Sequence, residues 1–236
     1  MARHIAVIGS PNSGKSVFSA ALAKGSVNRK KRAIIISGDH VVPMSPFFCG
    51  ISDVMGLGHL CCGEITPQRV AQSVKVLPKY PDIGIMAMQL KDAISGISSD
   101  KLLQIAEILD QMVDIVIWDG SSDSNSVFDQ TILAKCDLTV CVLIAEPKGA
   151  LYFEQNCQTL VSDRKLIFLE GMGRPYSPRE EMSVRTGGFD GMLPYSREIE
   201  RVYLEGDLFS VDKVCPERYQ TTVKRIIEQL LQGKEE

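Results

Sequence analysis

Short apolar runs alternate with longer segments of helical periodicity along the whole chain. The runs occupy residues 5–8, 33–36, 83–88, 114–119, 138–144, 166–169 and 192–194. Most of them are apolar at nearly every position, which is typical of strands that are buried on both faces of a sheet. The segments between them place apolar residues three and four positions apart, as amphipathic helices do. We therefore predict an α/β fold, a three-layer sandwich with a mostly parallel sheet between two layers of helices.

Local signals set the expected boundaries of the helices. Helices are expected over residues 17–23, from 67 to about 74, from about 100 to 112, and over 127–134, 149–161, 196–204 and 217–231. Gly25 is predicted to close the first of these helices, whereas Thr66 and Ser98 are typical of helix starts. Residues 38–66 form a connection that is long for a compact domain, which predicts a functional or mobile segment. Residues 170–188 are expected to be irregular. Since no repeat and no break in composition is visible, residues 1–236 are interpreted as a single domain.

Composition limits the classes of function. The chain has 236 residues, of which 44% are hydrophobic, and a formal charge of −3. A sizeable core is therefore expected, and general binding of nucleic acid through a basic surface is not. The basic run 29–32 is the candidate for contact with DNA, although its position between a helix and a strand favours a solvated turn.

The sequence also indicates the cellular compartment. No apolar run reaches the roughly 18 residues of a transmembrane helix, and no signal-peptide pattern begins the sequence. We therefore expect a cytoplasmic protein without a transmembrane segment. The seven cysteines form no framework of spacings and are expected to be reduced.

The loop after the first predicted strand carries the strongest chemical signal in the sequence. Its residues, Gly-Ser-Pro-Asn-Ser-Gly-Lys-Ser, match the pattern G-x-x-x-x-G-K-[ST] at every fixed position and lie between a predicted strand and a predicted helix. In this pattern backbone N–H groups surround phosphate oxygens, the lysine reaches the β- and γ-phosphates, and the last hydroxyl binds Mg²⁺. The residues expected to bind nucleotide here are Gly9, Ser10, Pro11, Asn12, Ser13, Gly14, Lys15, Ser16 and Val17.

Two carboxylates follow other predicted strands, at the edge where open α/β sheets bind ligands. Asp119 ends an apolar strand and has the form of the acid that holds Mg²⁺ directly or through water. Asp39 follows the second strand and is a candidate to position water or the metal; the alternative is an Asp that caps a turn. We expect Ser16, Asp39 and Asp119 around the metal. We expect Lys15, Asp39 and Asp119 to carry the chemistry.

The identity of the base follows from a missing segment. Guanine recognition in P-loop GTPases usually needs an N/T-K-x-D segment after a late strand, and the sequence contains none. We therefore expect ATP with Mg²⁺ as the cofactor rather than a guanine nucleotide.

These motifs, in this order, resemble the MinD/ParA-type P-loop ATPases. The resemblance rests on the phosphate loop, on Asp39 and Asp119, and on the stretches 191–195 and 199–207. It implies ATP and Mg²⁺ binding, slow hydrolysis, and ATP-dependent homodimers that position or assemble pilus, conjugation, partition or division machinery. It also implies that Pro194 and Tyr195 line the adenine pocket. A protein partner from such an assembly is expected, through which a cytoplasmic protein could lie at the membrane periphery.

The sequence departs from this family at a residue that matters for function. The family has a second lysine directly after the first loop glycine, which crosses to the nucleotide of the partner subunit, and Ser10 stands there in this sequence. Its absence predicts weak dimerisation and weak or partner-stimulated ATPase activity. Ser37 and Glu170 also stand where the family favours an acid and an asparagine. Such departures are similar to those of the CpaE/TadZ branch, which serves pilus assembly, or to those of ATPases carried on mobile elements.

Two other functions fit the same loop. A small-molecule kinase or ligase would bind ATP beside an acceptor pocket, to which residues 164–185 could add basic groups, but no kinase lid motif is present. A scaffold that switches with nucleotide and does not hydrolyse it would need only the binding residues.

Two further features are given structural interpretations. The residues His40, Cys49, His59, Cys61 and Cys62 lack the spacing typical of a zinc site, and the cysteines among them are interpreted as reduced, partly buried thiols. The apolar stripe over 223–231 is interpreted as the core face of the last helix.

Overall fold

The fold is built on one eight-stranded sheet. The computed structural model describes residues 1–40, 43, 45–48, 55–92, 96–121, 123, 125–156, 164–169, 179–193 and 196–232. The strands, in the order in which they lie across the sheet, are β3 (Lys75–Leu77), β4 (Tyr80–Ala87), β2 (Ala33–Ser37), β5 (Ile115–Asp119), β1 (Arg3–Gly9), β6 (Leu138–Ile144), β7 (Arg164–Leu169) and β8 (Gly191–Leu193). Every neighbouring pair is parallel except β3 with β4, which is antiparallel. This confirms the mostly parallel sheet predicted from the apolar runs.

Helices cover both faces of this sheet. In the described part of the chain they are α1 (Lys15–Val27), α2 (Ser45–Phe48), α3 (Leu57–Cys61), α4 (Pro67–Ser73), α5 (Ser99–Leu109), α6 (Val127–Lys135), α7 (Pro147–Asn156), α8 (Arg179–Thr186), α9 (Arg197–Leu204), α10 (Val211–Val214) and α11 (Glu217–Gln232), with a 3-10 turn at Leu208–Ser210. One hydrophobic core forms where α1, α9 and α11 pack on one face, and a second forms where α5, α6 and α7 pack on the other. Successive residues of β1 alternate between them: Ile5 and Val7 enter the first core, and Ala6 and Ile8 enter the second.

The register of the central strands brings three strand ends together. Val7 in β1 and Ser37 in β2 both pair with Asp119, the last residue of β5. Because these three strands are parallel, the loops that follow them leave the same edge of the sheet. The loop that begins at Gly9 and the residue Asp39 therefore lie next to Asp119, as the sequence predicts.

Two helix starts are formed by the predicted capping residues. The Thr66 hydroxyl accepts a hydrogen bond from the Arg69 N–H over 3.3 Å at the start of α4. The Ser98 hydroxyl accepts one from the Lys101 N–H over 3.5 Å at the start of α5. Each bond satisfies a backbone donor that the helix itself leaves without a partner.

Gly25 does not close the first helix, so that prediction is wrong. The residue lies inside α1, which continues to Val27. A Cβ at position 25 would lie 2.1 Å from Cδ1 of Ile227 in α11. The glycine is therefore explained by the close approach of two helices rather than by the end of one.

The structure contains short elements that the sequence does not predict. Residues 179–186 form α8, although irregular structure is predicted over 170–188; residues 170–178 lie outside the described part of the chain. Helix α8 has four charged residues and little apolar periodicity, which explains the error. The 3-10 turn and α10 fill the connection between the last two predicted helices, and β3 forms a short hairpin with β4.

The basic run 29–32 takes part in two ion pairs. Nη2 of Arg29 lies 3.0 Å from Oε1 of Glu228 in α11, and Nε of Arg32 lies 4.0 Å from Oδ2 of Asp114. The two lysines between them are exposed. This agrees with a solvated turn that is tied to the rest of the fold at both ends.

Helix α11 uses its apolar stripe as a core face. Val223, Ile226 and Ile227 are buried in the first core, which confirms the interpretation at these positions. Among the described residues, no helix combines the length and hydrophobicity needed to cross a bilayer.

Candidate functional site

The loop between β1 and α1 depends on two glycines. Gly9 has a φ of 153°, and a Cβ at this position would lie 1.8 Å from the carbonyl oxygen of Val142 in β6. Any other residue would therefore clash with the backbone of the neighbouring strand. Gly14 has a φ of 88° and is the N-cap of α1, where it places no side chain over the first turn. This leaves room for an anion beside the positive end of the helix dipole.

Lys15 is held inside this loop. Its Nζ donates hydrogen bonds to the carbonyl oxygens of Gly9 and Ser10, both over 3.2 Å, and the residue is only 8% exposed. Burial lowers the pKa of Lys15, and the negative charge of nearby carboxylates, led by Asp119, opposes that shift. The result is a cation fixed beside the turn of the loop, as phosphate binding requires.

Asp119 is buried at the end of β5 and hydrogen-bonded to α1. The hydroxyl of Ser19 donates to its Oδ1 over 3.1 Å, and the side chain of Ser16 is also hydrogen-bonded to its carboxylate. Burial raises the pKa of Asp119 to about 6, while the Ser16 hydrogen bond and the charge of Lys15 act in the opposite direction. Hydroxyl and carboxylate oxygens are ligands that suit Mg²⁺. The structure thus brings together two of the three predicted metal ligands, Ser16 and Asp119.

Asp39 lies beside Asp119 at the neighbouring strand end. The N–H of Gly38 donates to the carbonyl oxygen of Asp119 over 3.0 Å. The negative charge of Asp39 adds to the rise in the pKa of Asp119 and opposes the fall in the pKa of Lys15. Asp39 is half-buried, whereas Asp119 is fully buried. The three predicted chemical residues therefore share one edge of the sheet, with Asp39 nearest to solvent.

A further carboxylate, which the sequence analysis did not single out, lies behind the site. Asp129 is 2% exposed; its Oδ1 accepts from the backbone N–H of Ser121 over 3.1 Å, and its Oδ2 accepts from the hydroxyls of Ser121 and Ser126, the latter over 2.6 Å. Burial raises the pKa of Asp129, and the hydrogen bonds from Ser121 and Ser126 act against this rise. Asp129 therefore holds the start of the loop that follows Asp119. Its sequence signal is the capping pattern Ser126-x-x-Asp129, in which the Ser126 hydroxyl accepts the Asp129 N–H over 3.0 Å.

Helix α9 brings Tyr203 close to the two acids. Burial raises the pKa of Tyr203, and the charges of Asp39 and Asp119 raise it further. No sequence motif marks Tyr203, because only the fold places α9 near the ends of β2 and β5. The predicted adenine-pocket residues Pro194 and Tyr195 lie outside the described residues.

The other predicted residues of the phosphate loop differ in their burial and in the groups that could meet a phosphate. Ser10 is fully buried, and its hydroxyl accepts a hydrogen bond from the N–H of Ile144 over 3.4 Å. Val17 packs its side chain against the first core, so its backbone is the part that could meet a phosphate. Pro11 is half-buried, and Asn12 is exposed with a φ of 60°.

Ser13 shows that the loop fits a phosphate. The residue is fully buried, and its hydroxyl has no hydrogen-bond partner among the described residues. A buried hydroxyl without a partner is unfavourable, and a phosphate oxygen would accept its hydrogen bond. With Lys15 and the open first turn of α1 beside it, the loop has the donors that a polyphosphate needs. Ser16 and Asp119 have the oxygens that Mg²⁺ needs.

The described His and Cys residues of 40–62 lie in different environments. Cys61 is buried in α3, and burial raises the pKa of its thiol to about 11, which keeps it protonated. Cys62 and His59 are exposed. Cys49 lies outside the described residues.

Solved structures of proteins with different functions share this fold. A ParA family ATPase from Chlorobium tepidum superposes with a TM-score of 0.80 at 13% identity, over 97% of this chain and 99% of that chain. The septum site-determining protein MinD from Pyrococcus horikoshii, complexed with Mg-ADP, gives 0.77 at 14% identity, over 100% and 98%. Cobyrinic acid a,c-diamide synthase from Mycobacterium smegmatis, with bound ADP and magnesium, gives 0.71 at 14% identity, over 100% and 98%.

These comparisons establish the fold over essentially the whole chain. It is the three-layer α/β fold of P-loop nucleoside triphosphatases, as predicted, and the resemblance to MinD/ParA-type ATPases is confirmed at the level of the fold. No protein-family model and no curated protein sequence matches the chain.

Proposed function

We propose that this chain binds ATP and Mg²⁺ and acts as a MinD/ParA-like nucleotide switch with weak or partner-stimulated ATPase activity. The observation that carries the proposal is the meeting, at one edge of the sheet, of buried Lys15, the buried Ser13 hydroxyl and the Asp119 carboxylate beside Ser16. Each of these groups is unfavourable to bury alone, and a triphosphate with its metal would satisfy all of them. The MinD of P. horikoshii has this fold and was solved with Mg-ADP, which supports the choice of ligand.

Each group at the proposed site would have a separate role. Backbone N–H groups of residues 9–17 and the Lys15 ammonium would bind phosphate oxygens, and Ser16 with Asp119 would hold the metal. Bound Mg²⁺ would supply neutralisation of the phosphate charge. Asp39 would orient a water molecule, since it is more exposed to solvent than Lys15 and Asp119 are. Rate enhancement would come from positioning and charge stabilisation rather than from a covalent nucleophile.

The proposed cellular role is spatial positioning or assembly, in pilus, conjugation, partition or division machinery. The name of the P. horikoshii neighbour, septum site-determining protein, supports this class of role. The proposal includes a single domain over 1–236, Pro194 and Tyr195 at the adenine, a nucleotide-dependent homodimer and a protein partner. It places the chain in the cytoplasm or at the membrane periphery through that partner. Contact with DNA has less support, because Arg29 and Arg32 form ion pairs within the chain.

A small-molecule kinase or ligase is the second candidate. The specific observation in its favour is the shared fold with cobyrinic acid a,c-diamide synthase. Such an enzyme would consume ATP only with an acceptor molecule, whereas the proposed switch would respond to a protein, DNA or lipid surface. A scaffold that binds nucleotide without hydrolysing it would respond to none of these with turnover.

Calorimetry with MgATP tests the binding site directly. Lys15→Ala is expected to weaken MgATP affinity about 100-fold or more, because it removes the fixed cation and its charge-assisted contacts. Lys31→Ala, which removes an exposed lysine from the basic turn, is the matched control and should leave affinity unchanged. GTP should compete less well than ATP. Equal affinity of the wild-type protein and Lys15→Ala, or tighter binding of GTP, would contradict the assignment.

Phosphate release then separates the three functions. Turnover stimulated by DNA, by lipid vesicles or by a protein from the candidate machinery supports the switch. Turnover that depends on a small acceptor supports the ligase or kinase, and tight MgATP binding without turnover under all conditions supports the scaffold.

A further inference from the structure

A cavity of about 460 Å³ lies at the end of α1 that is remote from the phosphate loop. Its described lining consists of Lys24, Val27, Asn28, Lys79, Tyr80, Ile83 and Lys213. Lys24 follows Lys15 by nine residues along α1, a rise of roughly 13 Å. Tyr80 is the first residue of β4, at the edge of the parallel sheet opposite to Asp119. The cavity is therefore separate from the candidate nucleotide site.

The wall of this cavity contains a buried and well-positioned cation. Lys24 is 6% exposed. Its Nζ donates hydrogen bonds to the carbonyl oxygen of Phe209 over 2.8 Å and to the hydroxyl of Tyr80 over 3.2 Å, and it lies 4.3 Å from the centre of the Tyr80 ring. These contacts connect α1, the start of β4 and the 3-10 turn. An ammonium ion held in this way has already lost much of its hydration and flexibility, so binding an anion costs it less.

The charged side chains of the described lining are all lysines. There are three of them, and no described member of the lining carries a carboxylate. Nζ of Lys79 lies 3.8 Å from Oδ2 of Asp207, but these side chains are 75% and 43% exposed, so this ion pair is weak and an anion in the cavity could replace it. The C-terminal end of α1 adds about half a negative charge near these lysines.

We propose that this cavity binds a small organic anion with phosphate or carboxylate groups on an apolar or planar body. The volume lies within the range of small-molecule sites, about 300–1,000 Å³. The three lysines would bind the charged groups, while the side chains of Val27 and Ile83 and the ring of Tyr80 would contact the body. Asn28 offers an amide donor and acceptor that would orient the ligand. A ligand between Lys24 and Lys213 would join α1 to α10 and stabilise their packing.

Calorimetry with three probes tests this site: inorganic phosphate, citrate and phenyl phosphate. Each titration is repeated on Lys15→Ala protein, so that binding at the phosphate loop is recognised and excluded. Saturable binding of citrate or phenyl phosphate that survives Lys15→Ala is expected. Phenyl phosphate should bind more tightly than inorganic phosphate, because only the former reaches the apolar walls.

Exposed lysines give a matched pair of variants. Lys79→Gln/Lys213→Gln removes two charges from the lining, and Lys75→Gln/Lys148→Gln removes two exposed charges elsewhere. The lining variant should weaken probe affinity about tenfold or more, because it removes two charge-assisted contacts. The control should change it by no more than about twofold. The lining variant should also reduce the rise in melting temperature that the probes produce.

Three results would overturn the proposal. The first is that none of the three probes shows saturable binding at millimolar concentration. The second is an equal loss in the lining and control variants, which would indicate general charge screening. The third is binding that disappears in Lys15→Ala, which would place the probes in the phosphate loop.

Discussion

The indole N–H of Trp118 donates a hydrogen bond to Nδ1 of His4 over 3.0 Å. Nε2 of His4 lies 3.0 Å from Oδ1 of Asp110. Since Nδ1 is the acceptor, the neutral ring carries its proton on Nε2, and this N–H donates a hydrogen bond to Asp110. Trp118 is the only tryptophan in the chain and precedes Asp119, so its fluorescence reports unfolding next to the candidate site.

His4→Gln should change the dependence of stability on pH. Burial lowers the pKa of His4 below its usual 6.5, so the unfolded chain binds a proton at a higher pH than the folded chain does. The stability that comes from neutral His4 is therefore present above pH 6.5 and is lost as the pH falls below it, by up to about 1.4 kcal/mol per pH unit. Glutamine can keep both hydrogen bonds without titrating. Urea denaturation followed by Trp118 fluorescence should show a smaller acid loss in His4→Gln.

His59→Gln is the matched control, because His59 is exposed. The free energy of unfolding of His59→Gln should change with pH as that of the wild-type protein does between about pH 7 and pH 5. Parallel curves for His4→Gln and wild type would show that His4 titrates normally in the folded protein.

Asp119→Asn should stabilise the protein in metal-free buffer at neutral pH. The pKa of Asp119 is raised to about 6 by burial, so the folded chain binds this proton more tightly than the unfolded chain does. The contribution of Asp119 to wild-type stability therefore falls as the pH rises from about 4 to about 6, by up to about 3 kcal/mol, and stays lower above pH 6. The variant lacks this loss. Denaturation in EDTA should show a gain of about 1–3 kcal/mol near pH 8 and little difference near pH 4.

The exposed carboxylate of Asp123 provides the control for charge alone. Asp123→Asn changes the net charge by the same amount in the following loop and should show no comparable gain. A destabilised Asp119→Asn at neutral pH would mean that the Ser16 and Ser19 hydrogen bonds to the carboxylate outweigh its desolvation.

The sequence was sufficient for the parts of this fold that depend on local pattern. The run 5–8, the turn at Gly9 and the helix that begins at Lys15 each follow from residues close to one another in the chain. The parallel arrangement then places Asp39 and Asp119 near Lys15, because carboxyl ends of parallel strands share one edge. The predicted site geometry needed no long-range information beyond this rule.

Features that depend on distant contacts could not be predicted. Gly25 is explained by Ile227, more than 200 positions away, and no local rule separates it from a helix-ending glycine. Asp129 has a recognisable capping pattern, but its hydrogen bonds to Ser121 depend on how the loop after β5 folds. Tyr203 approaches the two acids only because the fold brings α9 near the ends of β2 and β5.

Gly25→Ala should destabilise the protein, although alanine favours a helix over glycine by about 1 kcal/mol. The new Cβ would lie 2.1 Å from Cδ1 of Ile227, which is buried between α1 and α11. Overpacking of this kind costs about 1–3 kcal/mol. Ile227→Val removes the clashing methyl group, so Gly25→Ala should cost less in that background. Urea denaturation of the four proteins gives the coupling energy, expected at about 0.5–3 kcal/mol. Stabilisation by Gly25→Ala alone would show that Ile227 moves aside freely.

The last prediction concerns Ser10, which stands where the resembled family has its second lysine. Cations supplied to the phosphates from a partner can accelerate phosphoryl transfer by about 10³ or more, and Ser10 supplies none. Its side chain is fully buried, and its hydroxyl accepts the N–H of Ile144. We therefore expect the isolated protein to bind MgATP with little turnover and to dimerise weakly. Light scattering with and without MgATP, beside a phosphate-release assay, measures both.

Two substitutions distinguish the missing charge from the serine itself. Ser10→Ala adds no charge and should leave the slow turnover and the weak dimerisation unchanged. Ser10→Lys should strengthen MgATP-dependent dimerisation, because its long side chain can carry the ammonium from the buried position to the open side of the loop; thermal unfolding checks that the variant folds. Rapid turnover or a tight MgATP-dependent dimer in the unmodified protein would show that a different residue supplies the charge. In that case Lys15 and the loop amides would remain the binding groups, because they do not depend on the residue at position 10.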